Sequence, residues 1–425
     1  MKKILHVCLL LILFCIVTTK QLRAQGCVAV RQMGGINPLS TNGYTLSKGE
    51  FQIGTNYRYF HSFRHYVGTE EQPQRQTSGG GFDENGNEKG NAVNIYSHAV
   101  DFNISYGLTD RLQLNLFIPY VNNERSQVYS AQKNAAGTTT VGVRYSMWAS
   151  GLADIRLTAN YLVFSHEKAM NGNLLVGMGV KFNSGSWTAR DNAMTGYDVT
   201  TNTPSYTMQY VDQAIQPGDG GIGVSIEVQG FRKLYKGIYG FANGYYLFNP
   251  KESNGTFKSD PTVVKDPNDK TKVLGTLYGY NVYACPDQFF VRAGVMTSVL
   301  RNKSLTLSLA ARCEGIPAYD VFGGNVAYRR PGYVVSVEPG LSYTMGKHTF
   351  GLFVPINFVR NRTQSAADKA SQSLQNSVIT DESQKVHVQG DAAFADYSIS
   401  FNYGLRLGKL FSKKTADPNP FQTAK

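Results

Sequence analysis

Residues 100–120 read VDFNISYGLTDRLQLNLFIPY. Val100, Phe102, Ile104 and Tyr106 alternate with Asp101, Asn103 and Ser105; after a turn at Gly107–Asp110, Leu112, Leu114, Leu116 and Ile118 alternate with Arg111, Gln113 and Asn115. Successive side chains leave a pleated strand on opposite faces, so this is a β-hairpin with one apolar and one polar face. In a soluble sandwich the apolar face would meet a core and the polar face water. In a membrane barrel the apolar face meets lipid and the polar face the lumen. The hairpin fits both, and the rest of the chain has to choose.

The chain has 425 residues with 43 Gly, 26 Tyr and 23 Phe against 2 Trp, and 42% of it is hydrophobic. A mean hydropathy of −0.27 excludes a bundle of transmembrane helices, which would need several apolar runs of about 20 residues. Abundant Gly and Tyr at middling hydropathy suits a barrel with aromatic girdles. One apolar run exists, at the start: MKKILHVCLLLILFCIVTTKQLRAQ places Lys2 and Lys3 before an apolar stretch from Ile4 to Val17 and small or polar residues up to Ala24. That order is a secretory signal peptide over 1–24, with the mature chain starting near Gln25. Its removal takes away Lys2, Lys3, Lys20 and Arg23, lowering the formal charge from +12 to +8. No basic stripe remains to read as a nucleic-acid surface. Cys8 and Cys15 leave with the signal; Cys27, Cys285 and Cys313 show no zinc-ligand spacing and allow at most one disulfide. "AQGC" also lacks the Leu expected three residues before a lipidated Cys27.

The same period recurs in FQIGTNYRYF (51–60), DIRLTANYLVF (154–164), NLLVGMGVKF (173–182), GIGVSIEVQGF (221–231) and IYGFANGYYLF (238–248). It continues at 289–299, 304–314, 332–344, TFGLFVPINF (349–358) and FADYSISFNYGLRLG (394–408). With the opening hairpin these make twelve strands, an even number, mostly long enough for a tilted crossing of a bilayer. Connections alternate in length. Short turns fall at 107–110, 165–172, 232–236, 300–303 and 345–347, and long segments at 61–95, 121–151, 184–220, 249–288, 315–331 and 359–393. A sandwich has no reason to gather every long loop at one end, whereas an outer-membrane barrel has short periplasmic turns and long extracellular loops. Within the last loop QSAADKASQSLQNS can form a short surface helix.

Sites of chemistry are scarce. FDENGNEKG spaces Asp83, Asn85 and Asn87 like a calcium loop, but Glu88 and Asn94 stand where an EF-hand needs Gly and an acid. No GxSxG elbow occurs, nor the His-Xaa-Ser-Asn-Gly string of barrel phospholipases, so no enzyme, metal or cofactor is expected. If the apolar faces meet lipid, the lumen receives Asp101, Asn103, Arg111, Gln113, Asn115, Arg156, Asn160, Lys181, Glu227, Gln229, Arg292, Arg312, Glu314, Glu338, Asn402 and Arg406. Charges of both signs in that space call for ion pairs between strands, the alternative role for these residues being contact with solute. Twelve strands lie between the eight that enclose only side chains and the sixteen of an aqueous pore, so such a lumen should be narrow or plugged.

Strings at the strand ends resemble one family: FRHYVGTEEQPQR (63–75), SGLADIRL (150–157), VDQAIQPGDGGIGV (211–224), YLFNPKESNGT (246–256), PDQFFVRAGV (286–295), RCEGIPAYDVFGGNVAYRRPGYVVSVEPGLSY (312–343), FVRNRTQS (358–365) and GDAAFADYSIS (390–400), beside the opening hairpin. They are similar to the outer-membrane transporter-like proteins named for the meta-pathway of phenol degradation, relatives of hydrophobic-compound channels such as the long-chain fatty-acid transporter. The resemblance runs through nearly the whole mature chain; 184–210 and 258–283 match nothing in it. It points to Asp212, Gln213, Asp219, Asp287, Gln288, Arg292, Glu314, Asp320, Arg329, Arg330, Arg362, Asp391 and Asp396 near the outer strand ends, either tying loops down by bidentate pairs or forming a vestibule that selects solute.

The expected architecture is an all-β, up-and-down transmembrane barrel of about twelve strands over 50–408. A periplasmic segment or plug at 25–49 precedes it and a periplasmic tail at 409–425 follows. The expected function is passive uptake of small compounds, hydrophobic or aromatic, across the outer membrane of a Gram-negative bacterium. The alternative is a surface barrel with a closed lumen whose long loops bind a partner or matrix. Expected partners are outer-membrane lipid, the barrel-assembly machinery and a small-molecule solute, with no nucleic acid.

Overall fold

The computed structural model describes residues 46–83, 85–132, 140–165, 171–300 and 304–409. The expected signal segment, all of 25–49 except its last four residues, and the tail beyond Lys409 lie outside them. Twelve antiparallel strands form the wall: β1 Glu50–Val67, β2 Asn94–Gly107, β3 Leu112–Gln132, β4 in two pieces (Thr140–Leu152 and Arg156–Leu162), β5 Gly172–Lys181 and β6 Gly223–Tyr235. They continue as β7 Ile238–Phe248, β8 Gln288–Ser298, β9 Leu305–Ile316, β10 Gly332–Met345, β11 in two pieces (His348–Phe353 and Ile356–Arg362) and β12 Ala392–Lys409. Each strand pairs with the next, and β12 closes on β1 from Glu50↔Lys409 to Tyr66↔Ala392. The fold is a closed up-and-down β-barrel without a free wall edge.

The alternation is expressed as inside and outside. Ile53, Phe102, Ile104, Leu157, Met178, Ile226, Val291, Leu309, Leu352 and Phe401 are exposed on the outer surface. Their strand neighbours Asp101, Asn115, Arg156, Thr158, Glu227, Arg292 and Ser400 are buried within. Exposing a continuous belt of large apolar side chains to water would be unfavourable by about 1.5–3 kcal/mol for each, so the belt is a lipid face. Both chain ends of the barrel, Glu50 and Lys409, lie with the tight turns, such as Lys236–Gly237 and Gly346–Lys347.

The long-loop end departs from the sequence reading. The expected loop 121–151 is a continuation of the hairpin, with β3 and β4 paired from Tyr120↔Leu152 to Gln132↔Thr140. Likewise β1 runs on to Val67 instead of ending at 60. Past the lipid the outer face need not be apolar, and on β4 the apolar residues Met147 and Ala149 turn inward, so the lipid-face pattern is lost while the hydrogen-bond ladder continues. The expected single strand 349–358 breaks at Val354–Pro355, and β4 breaks at Ala153–Ile155. Each break lies beside a proline on the neighbouring strand: Ala153 N–H donates to Pro119 O (2.8 Å) and Val354 N–H to Pro339 O (3.1 Å). A residue without an N–H cannot donate to the ladder, so pairing is interrupted there. The unmatched segments 184–210 and 258–283 each hold a hairpin, Arg190–Asp198 with Thr203–Tyr210 and Thr262–Lys265 with Val273–Leu277. A helix, α1 (Ala366–Asn376), starts with a capping box between Ser365 and Asp368.

Candidate functional site: the lumen and its mouth

The inner face of the wall carries two ionic groups. In the first, Arg156 of β4 pairs with Glu227 of β6, across the intervening β5. That reach requires glycine at 177 and 179: a Cβ on Gly179 would stand 2.6 Å from Thr158 Cγ2 and 2.7 Å from Ser225 Oγ, and one on Gly177 2.2 Å from Asn160 Oδ1. The Arg156 guanidinium lies 4.7 Å from the Phe117 ring centre and 4.9 Å from that of Tyr245. In the second group Arg292 and Arg312 are directly opposed on β8 and β9. Glu338 of β10 accepts from both, at 2.6 and 2.7 Å, and Glu314 accepts from Arg312 at 2.9 Å. The Phe290 ring lies beneath both guanidiniums, at 5.5 and 5.0 Å. Arg156, at 1% exposure, and Glu338, at 2%, are as enclosed as core side chains. Asp101, cross-strand from Asn56, accepts from its amide at 3.0 Å, and the charge of Arg58 acts on it. Unpartnered polar atoms also face this space, among them Asn160 Oδ1, Asn243 Nδ2, Gln288 Oε1 and Tyr245 Oη.

Above these groups the segment 211–221 folds as a strap against the inner face of the mouth. Val211 and Ile215, both 0% exposed, pack with Ile95 of β2 and with Met147 and Ala149 of β4. Asn123 Nδ2 donates to Ile215 O (3.1 Å), and Gln213 Nε2 to Ala284 O (2.8 Å). Asp212 takes a bidentate pair from Arg330 (2.7 Å each), and Arg125 of β3 stands 3.7 Å away. Burial pushes the Asp212 carboxyl up, but the Arg330 and Arg125 charges outweigh it and hold it far below the ordinary carboxylate range. At the far end of the strap, Lys181 Nζ pairs with Asp219 and with Asp154 (3.2 Å) and donates to Gly221 O (2.7 Å). Asp154 sits in the β4 break, so the interrupted ladder supplies the carboxylate that pins the strap.

A ring of pairs fixes the other loops. Asp320 accepts from Arg329 at 2.6 Å, while the Asp287 carboxylate accepts from Asn249 N–H (2.6 Å), Val321 N–H (2.9 Å) and Tyr246 Oη (3.0 Å). Burial holds both carboxyls above their ordinary value. Asp391 accepts from His65 Nδ1 and from Arg75, both at 2.7 Å. His65 Nε2 receives the Val93 N–H (2.9 Å), which assigns the ring proton to Nδ1. Asp396 accepts from Arg64 (2.8 Å) and Arg360 (2.7 Å), and Arg362 donates to Asp368 (3.1 Å) at the start of α1.

Of the residues singled out from sequence, Asp101, Arg156, Arg292, Arg312, Glu314 and Glu338 stand on the inner wall. Asp212, Asp219, Asp287, Asp320, Arg329, Arg330, Arg362, Asp391 and Asp396 hold loops at the mouth. Arg111 is a correction. It donates from Nε to Leu162 O (2.9 Å) and stacks 4.7 Å over Tyr161, an outward-facing ring at the tight-turn end. The turn interrupts the alternation, so parity counted from Leu112 does not extend to residue 111. Sequence reasoning passed over Arg58, although its alternation with Tyr57 and Tyr59 points it inward, and over Asp154, Arg125 and His65. The first carried a period-two signal; the other three matter only through partners more than 25 residues away in the chain.

No protein-family model matches the chain, and no curated protein sequence matches it. Solved structures with the same kind of barrel exist. An outer membrane channel from Pseudomonas putida F1 shares 10% identity over 85% of this chain and 97% of its own, with a TM-score of 0.48. The Ralstonia pickettii toluene transporter TbuX shares 10% identity over 85% and 90%, with a TM-score of 0.38. The translocator domain of the autotransporter NalP from Neisseria meningitidis shares 10% identity over 85% and 89%, at 0.36.

Proposed function

We propose that the protein is an outer-membrane channel of a Gram-negative bacterium, with its tight turns in the periplasm and its long loops outside. In this reading it conducts small solutes passively once the strap 211–221 moves off the mouth. The observation that carries the reading is the pairing of an apolar outer belt with a polar inner wall, capped by a segment held by side-chain pairs instead of strand pairing. Ion pairs can be exchanged for solute and water, which a continuous hydrogen-bond ladder cannot. No nucleotide loop stands in the sequence, so the solute gradient drives movement.

The preferred solutes are small aromatic or hydrophobic molecules bearing one polar group, as phenols do. Guanidiniums stacked on Phe117, Tyr245 and Phe290 offer ring faces and hydrogen-bond donors side by side. The resemblance to the phenol-degradation family favours the same class. Planar-bilayer conductance and liposome flux of the refolded protein, with phenol and with glucose as solutes, test this. Flux that rises on releasing the strap by Asp212→Ala and favours phenol is expected. A barrel that inserts but passes neither solute, with or without the strap, would favour a surface protein that acts through its loops.

A further inference from the structure

The outer surface carries a cleft that the channel reading does not use. It has a volume of about 580 Å3 and is lined by Tyr57 and Tyr59 of β1, Tyr96 and His98 of β2, Asn122 and Glu124 of β3, and Trp148 of β4. All seven point away from the lumen. The strand register aligns six of them in two adjacent rows, Tyr59–His98–Asn122–Ser150 and His61–Tyr96–Glu124–Trp148, and places Tyr57 opposite Val100 in the row below. The rows stand at the long-loop end of the lipid belt. On the same face, the next row toward the tight turns is apolar: Val100, Tyr120 and Leu152, followed by Phe102 and Ile118.

The lining is of mixed chemistry. Tyr57 Oη is 2.9 Å from His98 Nδ1, the Tyr59 and His98 rings are 5.0 Å apart, and the Trp148 side chain is exposed. The Glu124 carboxylate accepts from Ser146 Oγ at 2.6 Å, and no cation forms an ion pair with it among the described residues. A carboxylate with open acceptor positions at the edge of hydrocarbon is costly unless it meets water or a donor-rich ligand. Arg144 faces the same way four residues before Trp148, but its guanidinium donates to Ser126 Oγ (2.9 Å) and Ala92 O (3.1 Å). The cleft therefore offers aromatic faces, an acid, an amide and an imidazole, without a dedicated anion pocket.

We infer that this cleft binds the sugar headgroup of an outer-leaflet glycolipid. The C–H face of a sugar ring stacks on Tyr and Trp, while its hydroxyls donate to Glu124 and exchange hydrogen bonds with Asn122 and His98. The acyl chains continue onto Val100, Phe102, Tyr120 and Leu152, which are continuous with the belt. The inference rests on the outer-membrane placement proposed above and is independent of which solute crosses the lumen.

The chain has 2 Trp, so Trp187→Phe leaves Trp148 as the only indole reporter. That variant, reconstituted in phosphatidylcholine nanodiscs, is titrated with rough-type lipopolysaccharide, with phosphatidylglycerol, and with the lipid-free core oligosaccharide. A saturable change in Trp148 emission with lipopolysaccharide alone is expected. Glu124→Gln and Asn122→Ala should each weaken half-saturation by about ten-fold, the worth of a hydrogen bond to a charged or well-placed polar partner. They should leave heat-modifiability and conductance unchanged. An equal response to phosphatidylglycerol, equal binding of the free oligosaccharide, or variants that titrate like the parent would each overturn the glycolipid assignment. Failure to insert into bilayers would overturn the outer-membrane reading itself; insertion and conductance without a lipopolysaccharide response would overturn only the cleft.

Discussion

The charges on the barrel wall and the charges at its mouth look alike in composition but are held in different ways. On the wall, Arg292, Arg312 and Glu338 lie on three consecutive strands, and their meeting follows from strand register. At the mouth, Asp212 and Arg330 are 118 residues apart in sequence, and no ladder joins the strap to the loop that carries Arg330. The wall pairs are part of the barrel, whereas the mouth pairs are a condition laid over it. A wall pair cannot be lost without stressing the whole cylinder. A mouth pair can be lost with the cylinder intact.

That contrast can be broken by mutation. Glu338→Ala leaves Arg292 and Arg312 opposed without the carboxylate between them, and a loss of about 3–5 kcal/mol in unfolding by urea is expected. A smaller effect would mean that the wall pairs are as dispensable as those at the mouth. Leu114→Arg puts a charge on the lipid face of β3 and should cost about 2–4 kcal/mol in the same assay, whereas an arginine that folded and inserted like the parent would remove the lipid belt from this stretch.

Asp212→Asn should leave urea unfolding of the barrel nearly unchanged but weaken closure of the strap by about 1–2 kcal/mol, which is about ten-fold in open population. Single-channel open probability reads this directly, and a variant that unfolded the barrel as Glu338→Ala does would erase the distinction. The smallest effect is one of pH. Burial pushes the Asp391 carboxyl up, but the His65 hydrogen bond and the Arg75 charge outweigh it and hold it at about 2. A depressed carboxyl contributes stability above its unfolded value, about 3.9, and loses it as pH falls through the folded one. The loop 363–391 should therefore resist pepsin at pH near 5 and become cleavable as the pH drops toward 2, with the barrel band on a gel unchanged.

Much of the wall was legible in the sequence because a strand's side chains alternate by covalent geometry alone. Val100 to Ile118 already separate a lipid face from a lumen face, and Asp101, Asn115, Arg156, Glu227 and Arg312 fall on the inner one. The strand number and the gathering of long loops at one end follow from the same period. Where the period stops, so does the reading. The upper part of β4 turns its apolar residues, Met147 and Ala149 among them, inward against the strap, so the lipid-face pattern is lost and the stretch reads as a loop, and Pro119 and Pro339 break a neighbouring strand that their own sequence surroundings do not reveal.

The mouth was not legible at all in its partners. VDQAIQPGDGG reads as a turn-rich loop, and only the folded chain brings Val211 and Ile215 against Met147, Asp212 to Arg330, and Asp219 to Lys181. The outer cleft is of the same kind, since Tyr57, Tyr96, Glu124 and Trp148 come from four strands and meet only through register. Sequence determined which way each wall residue points, because that depends on its immediate neighbours in the chain. Tertiary structure decided which residues meet, because that depends on barrel closure and on where the long loops come to rest.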